Sequence, residues 1–584
     1  MKQFEFEYTN YTDLDNELRK ISLWCKSTTV SNMVFHIFTE NMNENKIDHI
    51  KTKILDTFPT AKYIGCSTNG NIYNGAFSNN DIIVCTVFEY VTTKVEVFQY
   101  DLTDKTVASV VNSLRDYVNN NDWVKSIEFL TTIRGMSMTN FCNKLSKLRK
   151  DIAIFGGGAF TQDIYDNTAY VFSNYCEPKD HSIAFLLIGG EDFHVSTSYV
   201  TGWKPLGRTL KVTKSDENNI IELDNKPAYE TYYKYLKIKN DRFFFKNTLE
   251  FPLLYHYHGI DVLRATVTCL EDGTFVMVSD IEENSTVKIA YGDPWTIIAN
   301  IKQEAQNYVD FQPEAIAIFS CGGRRAFWGD KDVSKEIIPF QQVASTYGFY
   351  TSSEFHRTDK WVMQHNVTEV IAAMREGEKS SNTNNISIYT EDEISSGATM
   401  VNRLTNFIQA STEELEEMIK KLECMSITDG MTGLYNRTEI QRRIIENLDH
   451  RKDTNMCLIM LDIDNFKTIN DTYGHKEGDI VITTLANMMK KNSNQHGETN
   501  SIGRWGGEEF MILCPNTDLE EASMIAEYIR SDFEQLKFNK AAHCTISLGV
   551  TKLLETDDSD SICQRVDNAL YKAKTTGKNK VVIL

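Results

Sequence analysis

Long apolar runs are missing from this 584-residue chain. The longest, Ile183-Ala184-Phe185-Leu186-Leu187-Ile188, falls far short of the ~20 residues of a membrane-spanning helix, so no membrane segment is expected. The opening residues MKQFEFEYTNYTDLDNELRK lack the basic start and apolar core of a secretory signal, which predicts a cytoplasmic protein. Proline is scarce, with 9 residues, and long disordered tracts are not expected. Paired cysteines are absent as well. The 12 cysteines stand singly, without CxxC or CxxCH, and in a reducing compartment they read as small buried hydrophobes. Positive charge is in deficit: a formal net charge of -20 would be repelled by nucleic acid or an anionic membrane, so neither is an expected partner. A mononucleotide is not excluded, because bound cations and a few local lysines can neutralise its phosphates.

What is present is a globular composition, 41% hydrophobic and 24% charged, in a chain long enough for about two to four domains. Residues 1–380 alternate short strands and amphipathic helices. Asp81-Ile82-Ile83-Val84-Cys85-Thr86-Val87, Ser182 to Ile188 and Ala315-Ile316-Ala317-Ile318-Phe319 have the length and continuity of buried strands. Glycine clusters at 65–70, 156–158 and 322–323 punctuate them. None is a Walker GxxxxGK[ST] loop, so no such nucleotide site is expected in this region. Residues 376–399 are rich in Glu, Ser, Asn and Thr and mark a boundary.

Beyond it Val401, Leu404, Ile408, Ser411, Leu415, Met418, Leu422 and Met425 are spaced 3, 4, 3, 4, 3, 4 and 3 residues apart. This is an a/d seam with one polar interruption at Ser411, and Glu413, Glu414, Glu416, Glu417, Lys420 and Lys421 lie off it. Spacing alone leaves two readings open, a parallel two-stranded coiled coil or a single helix packed on its own domain.

Further on, Cys457-Leu458-Ile459-Met460-Leu461 is a strand-length apolar run that ends in Asp462-Ile463-Asp464. Alternation puts Asp462 and Asp464 on one face at a strand end, where a loop can bring them a hard cation. Gly506-Gly507 separates two strand-like runs, which signals a hairpin turn and leaves backbone room for a ligand. Carboxylates at a strand end and beside a hairpin tip can together hold two divalent ions for phosphoryl transfer.

These pieces sit within a series of motifs. Thr428-Asp429-Gly430-Met431-Thr432-Gly433-Leu434-Tyr435-Asn436-Arg437 comes first. Leu461 to Lys467, Asn470 to His475 and Gly478-Asp479 follow, and then Arg504-Trp505-Gly506-Gly507-Glu508-Glu509-Phe510. Ser547-Leu548-Gly549-Val550 and Asp567 to Asn579 close the series. In order and spacing the series resembles the GGDEF family of diguanylate cyclases, in its GGEEF form. The resemblance implies a palm-like domain that condenses two GTP into cyclic di-GMP with release of two pyrophosphates. It implies Mg2+ as cofactor, two ions per active site, held by Asp462, the backbone carbonyl of Ile463, and Glu508. Glu508 or Glu509 would draw the proton from the 3′-hydroxyl, with a hydroxide on the metal as the alternative, and the sequence does not choose between them. Lys467, Lys574 and Lys578 are expected to meet phosphate charge. Lys578 stands where the family often has arginine, which replaces a bidentate contact with a point charge. Asn470 and Asp479 match the guanine-reading pair, and Gly506 and Gly507 give the substrate backbone room. Upstream of the hairpin Gly497-Glu498-Thr499-Asn500 lacks the RxxD of many relatives, so product inhibition through that position is not expected.

One such domain holds one GTP whereas the product joins two, so a homodimer through the 401–425 helix is expected. The competing readings are a catalytically silent nucleotide-binding signalling receptor and a redox or haem sensor acting on a protein partner. The retained Asp462, Glu508 and Glu509 weigh against the silent receptor.

In the first 380 residues, His256 and His258 alternate onto one strand face without a carboxylate or cysteine partner at ligand spacing, and Arg324-Arg325 is either an anion site or a surface turn. Tyr63 to Gly70, Phe155 to Ala159, Gly202 to Gly207, Leu223 to Ala228, Phe319 to Arg324, Tyr350 to Glu354 and His365 to Thr368 resemble the FIST sensory domain over roughly residues 20–375. That resemblance implies an unidentified small-molecule ligand, with amino acids among the suggestions and haem in some members. Cys321, Arg324 and Glu354 are the candidate sensor pocket. The expected architecture is α/β and α+β multidomain: a FIST N-like half over 1–200, a FIST C-like half over 201–380, a linker and dimerising coiled-coil helix over 381–425, and a GGDEF domain over 426–584. The last should carry a central, mostly antiparallel sheet flanked by helices.

Overall fold

The structure, a computed structural model, describes residues 1–103, 105–132, 138–161, 169–379, 426–449, 455–493, 500–541 and 543–584, with parts of 388–422. The chain divides into two compact units, Met1–Thr412 and Glu413–Leu584. No described helix is long and apolar enough to cross a membrane.

Among the described residues the first unit has three six-stranded sheets and an eight-stranded antiparallel one. Each six-stranded sheet has a parallel pair bridged by helix: Asn32–Thr39 with Lys62–Ser67, Val124–Thr131 with Ala153–Gly158, and Ala315–Cys321 with Ser345–Thr351. Their unbroken apolar character follows from burial on both faces. In the first sheet Val34, Phe38 and Val84 enter a core shared by all three sheets, whereas Phe35, Ile37 and Ile83 pack against helices Tyr11–Cys25 and Glu44–Thr57.

The halves drawn at 1–200 and 201–380 exchange strands. Phe193–Val200 pairs with Glu369–Glu376, Ile72 with Gly348, and Glu354 with Gly157. Glycine-rich motifs locate turns along the chain but carry no information on pairing partners so distant in sequence.

The second unit has one five-stranded sheet among its described residues, in the order Ser501–Gly506, Glu509–Pro515, Met456–Ile463, Ile546–Lys552, Val581–Ile583. Only the last two strands pair in parallel. Helices Arg437–Asp449 and Ser559–Thr575 pack on the face of Leu458 and Met460, and helices His475–Ser493 and Leu519–Glu534 on the face of Ile459 and Leu461.

Of the heptad seam, Val401, Leu404 and Met425 lie outside the described residues, as do Lys420 and Lys421. Ile408, Leu415, Met418 and Leu422 are described, and each is 50–60% exposed. Gly497, Glu498 and Thr499 of the upstream position also lie outside.

Candidate functional site

Strand register builds the site. Asp462 stands opposite Glu509 on one side and Ser547 on the other. Alternation turns it to the face of Met456, Leu458 and Met460, beneath helix Ser559–Thr575. That helix starts on a capping box between Asp558 and Ser561, and its last turn carries Lys574. The Lys574 ammonium lies 2.7 Å from Asp462 Oδ2. Burial pushes the Asp462 carboxyl up to about 6; Lys574 draws it down, and Glu508 and Glu509 push it up again. Burial also raises Glu509, opposed by Lys574 and Arg437 and reinforced by Asp567 and Glu508. Asp462, Glu508 and Glu509 thus repel one another, and Lys574 offsets only part of that negative charge, an excess that a cation would relieve. Among the described residues no three acidic, histidine or cysteine side chains are already gathered into a cation cage. Lys574 holds the carboxylate that such a cage would need.

The hairpin tip is open. Gly507 has φ +45°, and a Cβ there would meet nothing within 4 Å. Arg504 anchors the hairpin from below: its Nε donates to the Gly507 carbonyl at 2.8 Å, and its Nη1 reaches both Asp429 oxygens at 3.2 Å. The Arg437 guanidinium lies 4.8 Å from the Trp505 ring centroid.

The other expected residues fall around this centre. Ile463 ends the strand. Lys467 is exposed in the first turn of helix Phe466–Tyr473. Asn470, on the same helix, has a buried Oδ1 with no partner among the described residues, and a Cβ at Gly478 would lie 2.0 Å from that atom. Asp479 is exposed near the start of helix His475–Ser493. Lys578 donates to Asn465 Oδ1 at 2.6 Å. Asp464, read from alternation as a second cation carboxylate, accepts from Thr545 Oγ1, Ser547 Oγ and the Asn579 backbone N–H at 2.7–3.0 Å. It ties the closing motif to the strand end and has little left to offer a metal. The roles of Arg504 and Asp429 as the hairpin's anchor, and of Asp567 and Arg437 beside Glu509, were missed, because each depends on contacts between segments far apart in sequence.

The sensor residues are corrected more sharply. Arg324 is fully buried: Nε and Nη2 clasp Glu336 at 3.0 and 2.6 Å, and Nη1 donates to the Val367 carbonyl. Glu354 accepts from Thr351 Oγ1 and the Thr368 N–H, and burial lifts its carboxyl to about 8. The Cys321 thiol, raised by burial, accepts from the Gly323 N–H. None of the three lines the open cavity of 280 Å³ beside them, whose walls include Asn69, Phe160, Phe245, Lys246 and Arg325. His256 Nδ1 lies 2.8 Å from Asp261 Oδ1, and the His258 ring stacks on Trp361.

Family profiles match three stretches of the chain. The profile described as "Diguanylate cyclase, GGDEF domain" matches residues 426–580, that of the FIST N domain residues 34–226, and that of the FIST C domain residues 228–357. Diguanylate cyclase DgcM of Escherichia coli K12 is 35% identical over 173 residues, 29% of this chain and 41% of that protein. Diguanylate cyclase VdcA of Vibrio cholerae is 35% identical over 192 residues, 31% of this chain and 55% of that protein. The match thus spans about half or less of these relatives' own length. The solved GGDEF domain of DgcB from Caulobacter crescentus, in complex with c-di-GMP, is 31% identical and covers 27% of this chain and 95% of that one, at a TM-score of 0.26. The chain carries a FIST N domain, a FIST C domain and a GGDEF domain.

Proposed function

We propose that the chain is a diguanylate cyclase, condensing two GTP into cyclic di-GMP under the control of a small molecule sensed by its N-terminal unit. The observation that carries this reading is the meeting of Asp462, Glu508, Glu509 and Lys574 at one strand end, within the stretch matched by the GGDEF profile. In the reaction the 3′-oxygen of one GTP bonds to the α-phosphorus of the other, the bond to the β-phosphate breaks, and pyrophosphate leaves. A second such step closes the ring.

The buried, charge-crowded carboxylate of Asp462 fits a divalent cation. Magnesium, two ions per site in this reading, would be held by Asp462, the Ile463 carbonyl and Glu508, and when bound would neutralise triphosphate charge. Glu509, with its carboxyl raised by burial, suits the acceptance of the 3′-proton. Lys574 would exchange its Asp462 partner for phosphate, with Lys467 and Lys578 at the rim. Asn470, with its buried, unpartnered Oδ1, and the exposed Asp479 would read guanine; an adenine would leave the Asn470 acceptor unpaired. Two chains would meet through the 401–425 helix, whose exposed Leu415, Met418 and Leu422 favour that pairing.

Purified full chain with GTP and magnesium should yield cyclic di-GMP, identified by mass. Asp462→Asn and Glu508→Gln should each lower turnover about a thousandfold. A dimeric preparation that makes no cyclic di-GMP would sink the reading.

A further inference from the structure

The 280 Å³ cavity of the N-terminal unit lies where three parallel-paired strands end. Asn69 follows Lys62–Ser67 by two residues, Phe160 follows Ala153–Gly158 by two, and Gly322 directly follows Ala315–Cys321. Space beyond the carboxyl ends of parallel strands is the preferred ligand position in open α/β sheets. Here the strand ends are also fastened to one another, by Phe160 N–H to the Ser67 carbonyl and by Asn69 N–H to the Tyr350 carbonyl. Such a site is built in advance of its ligand and needs no strand to move.

The charge in its wall can be followed group by group. All five Arg325 N–H groups are engaged, two on Asn69, one on Asn79 and two on Asp330, at 2.7–3.2 Å. Arg325 is thus ion-paired both to Asp330 and to the buried Glu40, whose Oε1 lies 3.6 Å from Nη1, and the guanidinium has no donor left for a ligand. Lys246 is exposed at the rim and has no ion pair or hydrogen bond among the described residues. Lys246 is therefore the lining charge without a partner among the described residues. The rest of the wall is chiefly apolar, from Phe160, Phe245 and Leu249, and a Cβ at Gly322 would stand 2.6 Å from the Phe160 ring. The volume equals that of roughly nine waters, below the ~300 Å³ at which drug-sized pockets begin.

We propose that this cavity binds a small monocarboxylate with a ring-sized apolar body, its carboxylate on Lys246 and its body between Phe160, Phe245 and Leu249. The proposal rests on reading the N-terminal unit as a sensor. It separates the ligand from a free amino acid, because Asp330, the wall's carboxylate among the described residues, is already paired with Arg325 and is not left for an α-ammonium.

Calorimetric titration of the full chain with phenylacetate, 2-phenylethanol, 2-phenylethylamine and phenylalanine tests it. Phenylacetate should bind about tenfold or more tighter than the other three. Lys246→Ala should bring phenylacetate to within about twofold of the alcohol without shifting the melting midpoint, and Ala326→Trp, at an exposed wall position, should block both. No binding of phenylacetate at about 10 mM, a preference for the amine or for phenylalanine, or affinity unchanged by Lys246→Ala would each overturn the assignment. GTP turnover in the same samples keeps the two readings apart. Active cyclase without phenylacetate binding overturns only the cavity assignment, whereas the expected binding in a chain that makes no cyclic di-GMP supports the cavity and overturns the cyclase.

Discussion

A Cβ at Gly478 would stand 2.0 Å from Asn470 Oδ1, the buried acceptor that has no partner among the described residues. The glycine is there to leave room for a neighbour's side chain, and it does so within a helix, where alanine is the better former by about 1 kcal/mol. Gly478→Ala should therefore leave the melting midpoint within a few degrees while raising KM for GTP about tenfold in steady-state kinetics. An unchanged KM would show that Asn470 does not read the base. Asp462 supports a pH prediction. Its folded carboxyl titrates at about 6, against an ordinary 3.8, so between those values the folded metal-free chain holds a proton that the unfolded chain has lost. Stability from this group therefore rises as pH falls through that window and is lost as pH climbs through about 6. A cation needs the ionised carboxylate. Magnesium affinity measured by calorimetry should fall about tenfold per pH unit below 6, and equal affinity at pH 5 and pH 7 would be inconsistent with a ligand role for Asp462.

Among the elements, the Ser559–Thr575 helix and the hairpin do the positioning: one brings Lys574 to Asp462, and the other is fastened to the opening motif through Arg504 and Asp429. Both were legible as elements, since capping residues, apolar spacing and a Gly-Gly turn are local signals. Which partner each side chain takes was not legible. Asp464 has the same spacing whether it binds a cation or fastens a loop, and only the arrival of Thr545, Ser547 and Asn579 decides for the loop. Arg324 and Arg325 are neighbours in sequence with opposite fates, one buried on Glu336 and the other in the cavity wall. The seam helix lends itself to a direct test. Leu415 is 60% exposed in the single chain, so Leu415→Asp should cost the fold little. It should shift the chain toward monomer in analytical ultracentrifugation and lower cyclic di-GMP production at least tenfold. A variant that stays dimeric and active would remove the seam from the proposed mechanism.

For the whole molecule, strand exchange between residues before 200 and after 340 makes the N-terminal unit one cooperative body. Residues 1–200 alone would leave the edges that pair with Ser345–Thr351 and Glu369–Glu376 bare. That fragment should lack a cooperative thermal transition by circular dichroism, while residues 1–379 should have one. Residues 426–584 should melt independently, because their two cores draw only on their own side chains. A sharp transition in the 1–200 fragment would contradict the exchange.

The order and spacing of the C-terminal motifs, the seam and the existence of most strands were determined by the sequence itself, because each is encoded in residues close along the chain. The tertiary structure alone decided that Lys574 would neutralise Asp462 and that Asp464 would hold a loop. It also placed the cavity beside Arg325 and away from Arg324, and left Lys246 as the lining charge without a partner among the described residues. These outcomes depend on desolvation and on which groups meet across the fold, and neither is a property of spacing along a chain.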